Sequence, residues 1–304
     1  MMKLDFHTID VFTEHRFGGN PLAVVHGADD LDTEAMQLIA REFNLSETVF
    51  VLKPQNPMHS ARTRLFTPMK ELPFAGHPTV GTAALLAELK QAAGVPGNDA
   101  LIVIEQQIGT LRVGVRMRAG APSFAEFDAP RLPVEAGALP PVDVLAAGLG
   151  LIPSEIGFEN HRPVCFAAGN AFAFVPVASL EALERARING ADWSQAFEEQ
   201  GLVGAYLYTR QCVHTASAFH ARMFAPAAGV PEDPATGSAA VCLAGVVDLF
   251  DDLPDGNHKK VVEQGFTMGR PSFITLSLTV TAGKLSNVRI GGHVVRVSEG
   301  VLEV

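Results

Sequence analysis

Three side chains in this 304-residue sequence could together move a proton: Glu47, His77 and Asp233. Glu47 lies in Asn44-Leu45-Ser46-Glu47-Thr48-Val49-Phe50-Val51, where helical spacing gives way to a β-branched run, so its carboxylate can project from a strand end. His77 and Asp233 each stand directly before a proline that introduces an apolar, Ala-rich run. Imidazole and carboxylate groups are common carriers in general acid–base chemistry. The turns entering those runs add a second capability. Backbone N–H groups at a helix start, around Gly76-His77 and around Gly237-Ser238, have no intrahelical acceptor and sit at the positive end of the helix dipole, which suits an anion. Taken one at a time, these residues read as ordinary surface, turn and capping residues. Their recurrence in two halves of the chain sets them apart.

Gly19-Asn20-Pro21-Leu22-Ala23-Val24-Val25 is echoed by Gly169-Asn170-Ala171-Phe172-Ala173-Phe174-Val175. Arg64-Leu65-Phe66-Thr67-Pro68 is echoed by Arg222-Met223-Phe224-Ala225-Pro226, and His77-Pro78 with Gly81-Thr82-Ala83 by Asp233-Pro234 with Gly237-Ser238-Ala239. The order is the same in both halves, so two similarly built lobes are expected. On this alignment His77 and Asp233 are equivalent and would face each other across one cleft. Glu47 has its counterpart near Ala205, so the duplication carries one acid at that position.

The elements that must hold these residues follow from periodicity. Strands are expected at Leu4 to Val11, Leu22 to Val25, Thr48 to Leu52, Leu101 to Gln107, Thr110 to Arg118 and Ser123 to Phe127. Met36, Ile39, Ala40 and Phe43 recur at helical spacing behind Asp32, a good N-cap, with Asn44 near the stop. A second helix is expected from about Thr79 to Lys90, apolar nearly all round and hence central. The two central helices should begin near Pro78 and Pro234. The expected class is α+β, with two pseudo-symmetric lobes, 1–128 and 129–304, each a curved sheet or barrel around one helix. The boundary falls in the Pro- and Ala-rich segment Ala129 to Pro141. Strands Ser272 to Val280, Lys284 to Ile290 and Val294 to Val297 complete the second lobe, unless the last returns to the first.

Composition removes several classes of function. The 23 Lys and Arg against 33 Asp and Glu leave a formal charge of -10, the wrong sign for a nucleic-acid or anionic-membrane surface. No signal-peptide core and no membrane-spanning apolar run can be drawn, so a cytoplasmic location is expected. Cys165, Cys212 and Cys242 are odd in number, far apart and set in apolar sequence, and read as buried small hydrophobes. No His-Glu-x-x-His, paired-cysteine or calcium-loop pattern supports a metal site. Gly76 to Thr82 lacks the lysine of a nucleotide-binding loop, since Gly81 precedes Thr82. No metal, flavin, pyridoxal phosphate or nicotinamide is expected. A small anionic metabolite is the expected partner.

With Asp10-Val11-Phe12-Thr13, Phe17-Gly18-Gly19-Asn20-Pro21, Asn44-Leu45-Ser46-Glu47-Thr48-Val49-Phe50, Pro73-Phe74-Ala75-Gly76-His77-Pro78-Thr79-Val80-Gly81-Thr82 and Glu232-Asp233-Pro234-Ala235-Thr236-Gly237-Ser238 in order, the chain resembles the PhzF-like isomerases of phenazine biosynthesis, related in fold to diaminopimelate epimerase. The resemblance spans essentially the whole chain. It implies two pseudo-symmetric lobes, a site in the cleft, no cofactor and a homodimer. It also implies that Glu47 moves the proton, that His77 and Asp233 assist, and that Gly76, Gly237 and Ser238 line the substrate. In the phenazine member the substrate is a dihydro-hydroxyanthranilate; for this chain the substrate is not legible. The two-cysteine mechanism of the related epimerases is excluded, because Gly76 and Asp233 stand in the corresponding region. An epimerase or lyase acting α to a carboxylate, or a non-catalytic binding protein on the same fold, are the competing readings.

Overall fold

Alternating and β-branched runs of the first half become strands, and the Ala-rich run becomes the helix they enclose. The computed structural model describes residues 2–94 and 98–304. Its first compact unit comprises Met1–Pro130, Arg270–Phe273 and Ile290–Val304. In order, this unit contains β1 (Lys3–Val11), β2 (Asn20–His26), α1 (Thr33–Phe43), β3 (Glu47–Leu52), β4 (Ala61–Phe66), β5 (Glu71–Leu72), α2 (Gly76–Ala92), β6 (Asp99–Gln106), β7 (Gly109–Arg118) and β8 (Ala121–Asp128). Asp32 caps α1 by accepting the Ala35 N–H, and Asn44 ends it in the left-handed region at φ 49. Its apolar face, Met36 and Ala40, packs on Phe50, Leu52 and Phe66.

The second unit comprises Arg131–Gly269 and Ile274–Arg289. It runs through β9 (Val134–Glu135), α3 (Val142–Leu149), β10 (Val164–Ala167), β11 (Ala171–Pro176), α4 (Leu180–Arg185), α5 (Gly190–Trp193), β12 (Gly204–Thr209), β13 (Phe219–Ala225), β14 (Val230–Asp233), α6 (Gly237–Phe250), β15 (Gly256–Gln264) and most of β16 (Ser272–Thr281). The last strand, β17, is continuous over Lys284–Glu303, where the sequence suggested two shorter strands. Residues 270–273 and 290–293, drawn with the second lobe in the sequence division, group with the first unit, as does the stretch 294–304, whose return to the first lobe was left open.

In the first unit the ladder runs β1, β2, β3, β4, β6, β7, β8, and β17 pairs with both β8 and β1, so the barrel closes. Closure pairs β1, the first strand, on both sides, with β2 and β17. α2 fills the interior: every residue from Gly76 to Leu85 is buried. A helix apolar all round needs such a wall on every side, and full burial of a Val or Leu contributes roughly 1.5–3 kcal/mol. Gly81 sets how close the wall can come. A Cβ there would lie 2.6 Å from Val11 Cγ2 and 2.9 Å from Ile9 Cδ1.

The second unit repeats the plan. β11 and β12 are parallel and β12 and β13 antiparallel, as are β2 with β3 and β3 with β4. α6 packs against β9, β10 and β11. On the outer side α3 and α5 build an apolar cluster in which Leu145, Leu149, Trp193 and Phe197 meet Leu207 and Phe224.

Candidate functional site

Glu47 opens β3, and the parallel register sets it opposite Leu22 of β2. His77 is the second residue of α2, in the buried first turn, with Pro78 behind it. Proline is tolerated there because a first-turn N–H has no intrahelical partner to lose. These two elements bring Glu47 Oε2 within 2.9 Å of His77 Nδ1, with side-chain exposures of 15% and 4%. The approach is a close polar contact rather than an aligned hydrogen bond: Oε2 of Glu47 and Nε2 of His77 are both buried without a hydrogen-bond partner among the described residues. Buried polar atoms left without partners cost stability, and each such pair calls for an explanation.

Gly76 is buried at the first position of α2. The N-cap is Ala75, which has no side chain to close the first-turn amides. Thr79 Oγ1 turns back to the Ala75 carbonyl and accepts a bond from Gln106 Nε2 at 3.1 Å.

Asp233, Gly237 and Ser238 lie in the second unit. α6 begins at Gly237, three residues beyond the expected Pro234, because Asp233 is still in β14, paired with Met223. A residue before proline is held extended, which keeps Asp233 on the strand. The equivalence with His77 therefore needs correcting. Leu65, the counterpart of Met223, pairs with Leu72, so on the ladder Asp233 corresponds to Leu72 while His77 is already helical. The Asp233 carboxylate accepts the Thr236 hydroxyl at 2.6 Å, and Gln264 Nε2 bonds the Asp233 carbonyl at 2.7 Å. Thr236, the N-cap of α6, thus spends its hydroxyl on Asp233 and leaves the first amides of α6 without a side-chain cap.

The ladder also refines the counterpart of Glu47. Leu22 pairs with Glu47, and its equivalent Phe172 pairs with Gly204, so the position falls on Gly204 rather than Ala205. No side chain fits there: a Cβ on Gly204 would lie 2.1 Å from the Phe224 carbonyl oxygen.

Several supporting residues escaped the sequence reading. Glu105-Gln106 and Glu263-Gln264 end β6 and β15 at matching positions, and the repeated Glu-Gln pair was the available signal. Gln264 accepts the buried Tyr206 hydroxyl at 3.2 Å, while burial and the charge of Asp233 push the Tyr206 pKa well up. Buried Asp10 takes the Phe17 N–H, and Arg270 ties Asp10 to the carbonyls of Gly18 and Gly19. This latch shapes the loop leading to Asn20 and β2. Cys165 and Cys242 are buried, but Cys212 is only half-buried; all three are free thiols. Among the described residues no group of three or more His, Cys, Asp or Glu could hold a metal ion, and no helix is long and apolar enough to cross a membrane.

The model of the phenazine biosynthesis-like proteins matches residues 9–300. The chain belongs to that family. An uncharacterized isomerase of Mesorhizobium japonicum is 49% identical over 99% of both chains. The trans-2,3-dihydro-3-hydroxyanthranilate isomerase of Pseudomonas chlororaphis is 35% identical over 97% of both. Among solved structures, a PhzF-family phenazine biosynthesis protein of Bacillus anthracis superposes with a TM-score of 0.89 at 27% identity, covering 100% of each chain. Membership places this phenazine biosynthesis-like protein among enzymes of the isomerase and epimerase kind, and its duplicated α+β architecture is the family's.

Proposed function

We propose that this enzyme shifts a proton within a small carboxylate-bearing metabolite without a cofactor, with Glu47 taking the proton from one carbon and returning it to another. The observation that carries this reading is the 2.9 Å pairing of half-buried Glu47 with buried His77, each with a buried polar atom that has no hydrogen-bond partner among the described residues. A carboxylate oxygen with a free lone pair can accept a proton from carbon, and a neighbouring imidazole can stabilise it or relay that proton. The uncapped first turn of α2, with Gly76 at its head, supports binding of the substrate carboxylate near that base. Asp233, Gly237 and Ser238 have the matching role in the proposal, the amides of Gly237 and Ser238 for an anionic or carbonyl oxygen and Asp233 for a second proton.

The relatives named as trans-2,3-dihydro-3-hydroxyanthranilate isomerases make that compound the first substrate to offer. One base serving two carbons gives isomerisation, whereas two opposed bases on one carbon would give epimerisation. The single acid at the Glu47 and Gly204 pair of positions favours the former. The test is turnover of that compound in heavy water by wild type and Glu47→Gln. Gln keeps the shape and accepts hydrogen bonds but cannot carry a proton, so turnover and deuterium incorporation should fall about 10²–10⁴-fold while the melting temperature holds. Incorporation at the wild-type rate would remove Glu47 from the mechanism. Asp233→Asn, expected to lower turnover less than Glu47→Gln, separates its role from that of Glu47.

A further inference from the structure

At the end of β3 far from Glu47, a polar cavity of about 380 Å³ opens among Asp29, Leu31, Leu52, Gln55, Arg62 and Gln107. Leu52 is five residues along β3 from Glu47, about 17 Å at the rise of a strand, so this end of the cavity lies away from Glu47, while its Gln106 wall is the residue that also bonds Thr79 of α2. Arg62 is its unusual feature. Its Nε is buried with no hydrogen-bond partner among the described residues. The register sets Arg62 beside Glu105, but Glu105 is already taken: it accepts the Gln55 and Asn56 N–H groups at 2.7 and 2.9 Å and lies 2.7 Å from His59 Nδ1. Asp29 accepts the Lys53 N–H at 2.9 Å. Leaving a guanidinium N–H buried and unanswered costs more than a made hydrogen bond returns.

The second unit differs at the matching positions. His220 stands where Arg62 does, and it lies 2.7 Å from Glu263, the counterpart of Glu105. Arg222, the counterpart of Arg64, sends Nη1 to the carbonyls of Leu183, Glu184 and Ala186 at the end of α4. Those carbonyls answer the counterpart of Arg64; at the counterpart of Arg62 itself, His220 Nε2 is likewise buried without a hydrogen-bond partner among the described residues.

We propose that this cavity is a second ligand site, which takes a small metabolite through a carboxylate or phosphate group on the Arg62 guanidinium. Both oxyanions match the two-pronged N–H fork of arginine, and Leu31 and Leu52 offer an apolar wall to a short carbon skeleton. The inference does not depend on the reaction assigned to Glu47.

The experiment uses the full ¹⁵N-labelled chain titrated with succinate and, separately, with inorganic phosphate, following the Nε–Hε resonance of Arg62, identified by its loss in Arg62→Met. A saturable shift of that resonance, with calorimetric affinity reduced roughly 10–100-fold in Arg62→Met and unchanged in Glu47→Gln, supports the site. Response to succinate alone identifies a carboxylate, to phosphate alone a phosphoryl group, and to both a general oxyanion site. If Arg62→Met does not fold, Arg62→Lys, which keeps the charge and loses the fork, should weaken binding by a smaller factor. The proposal is overturned if neither anion shifts the resonance, or if a folded Arg62 variant binds as wild type does.

Discussion

The two units use the same ladder positions for different ends. Arg64 and Glu71 pair on β4 and β5, and Arg222 and Glu232 pair at the matching places on β13 and β14. Glu105 and Glu263 each close a loop by accepting two consecutive backbone N–H groups and meeting a histidine. Gln106 and Gln264 each reach a threonine at the entrance to the central helix. The residues that hold the chain in shape are thus doubled, while the acid at the head of β3 is single. Duplication preserves what both halves need in order to fold, and frees one copy of each remaining position for chemistry.

The sharpest test of that contrast puts alanine at the heads of β3 and β12. Gly204→Ala should destabilise the protein by about 3 kcal/mol or more, since its Cβ would meet a backbone oxygen that cannot swing aside. Glu47→Ala, at the equivalent place, should change stability by less than about 1 kcal/mol while abolishing turnover. Urea unfolding of both variants decides it. Equal stability losses would mean that the two positions share a structural role, and the asymmetry would lose its functional meaning.

The paired loop anchors should differ in degree. Glu263 is fully buried, and although burial pushes its pKa up, hydrogen bonds from His220, Val213 and His214 outweigh that and hold it below the ordinary 4.5. A carboxylate depressed in the folded state contributes stability that is present above its unfolded value and is lost as pH falls through the folded one. Glu263→Gln should therefore cost about 2–3 kcal/mol near neutrality and progressively less at acid pH. Glu105 has the same partners in kind but lies nearer solvent, and Glu105→Gln should cost clearly less by the same urea assay. A larger loss at Glu105 would break the correspondence between the anchors.

Much of this was legible in the residues themselves. The alternation in β1, the Asp32 and Asn44 ends of α1, and the Ala-rich run of α2 are local signals, and local physics suffices for them. The repeat in Gly-Asn and Arg-x-Phe showed that the two halves share a plan. Less legible was where the halves diverge between strand and helix. His77 and Asp233 align by their following prolines, but nothing in the spacing says that one proline lies inside a helix and the other before it. The shift from Ala205 to Gly204 is of the same kind, since register is set by hydrogen bonding between strands distant in sequence. Arg62 was invisible because its peculiarity is a missing partner.

The smallest expected effect concerns a feature confined to the first unit. His7 Nδ1 lies 3.1 Å from His26 Nε2, and the ladder position of His26 is occupied in the second unit by Pro176. Burial, with the charge of His7 added, lowers the pKa of His26 from 6.5 to about 4, and burial also lowers that of His7. A histidine whose folded value lies below its unfolded one favours folding in the neutral form. Its contribution is complete above about 6.5 and is lost as pH falls from there towards 4, because the unfolded chain takes up the proton first. The loss should amount to about 1–2 kcal/mol for a pair that is not wholly screened from solvent. His26→Gln removes the titrating ring but retains a hydrogen-bonding group toward His7, so the fall in urea midpoint between pH 6.5 and pH 4.5 should shrink by that amount relative to wild type. An undiminished fall would assign the acid sensitivity to the carboxylate anchors, which the units share, rather than to the histidine pair that distinguishes them.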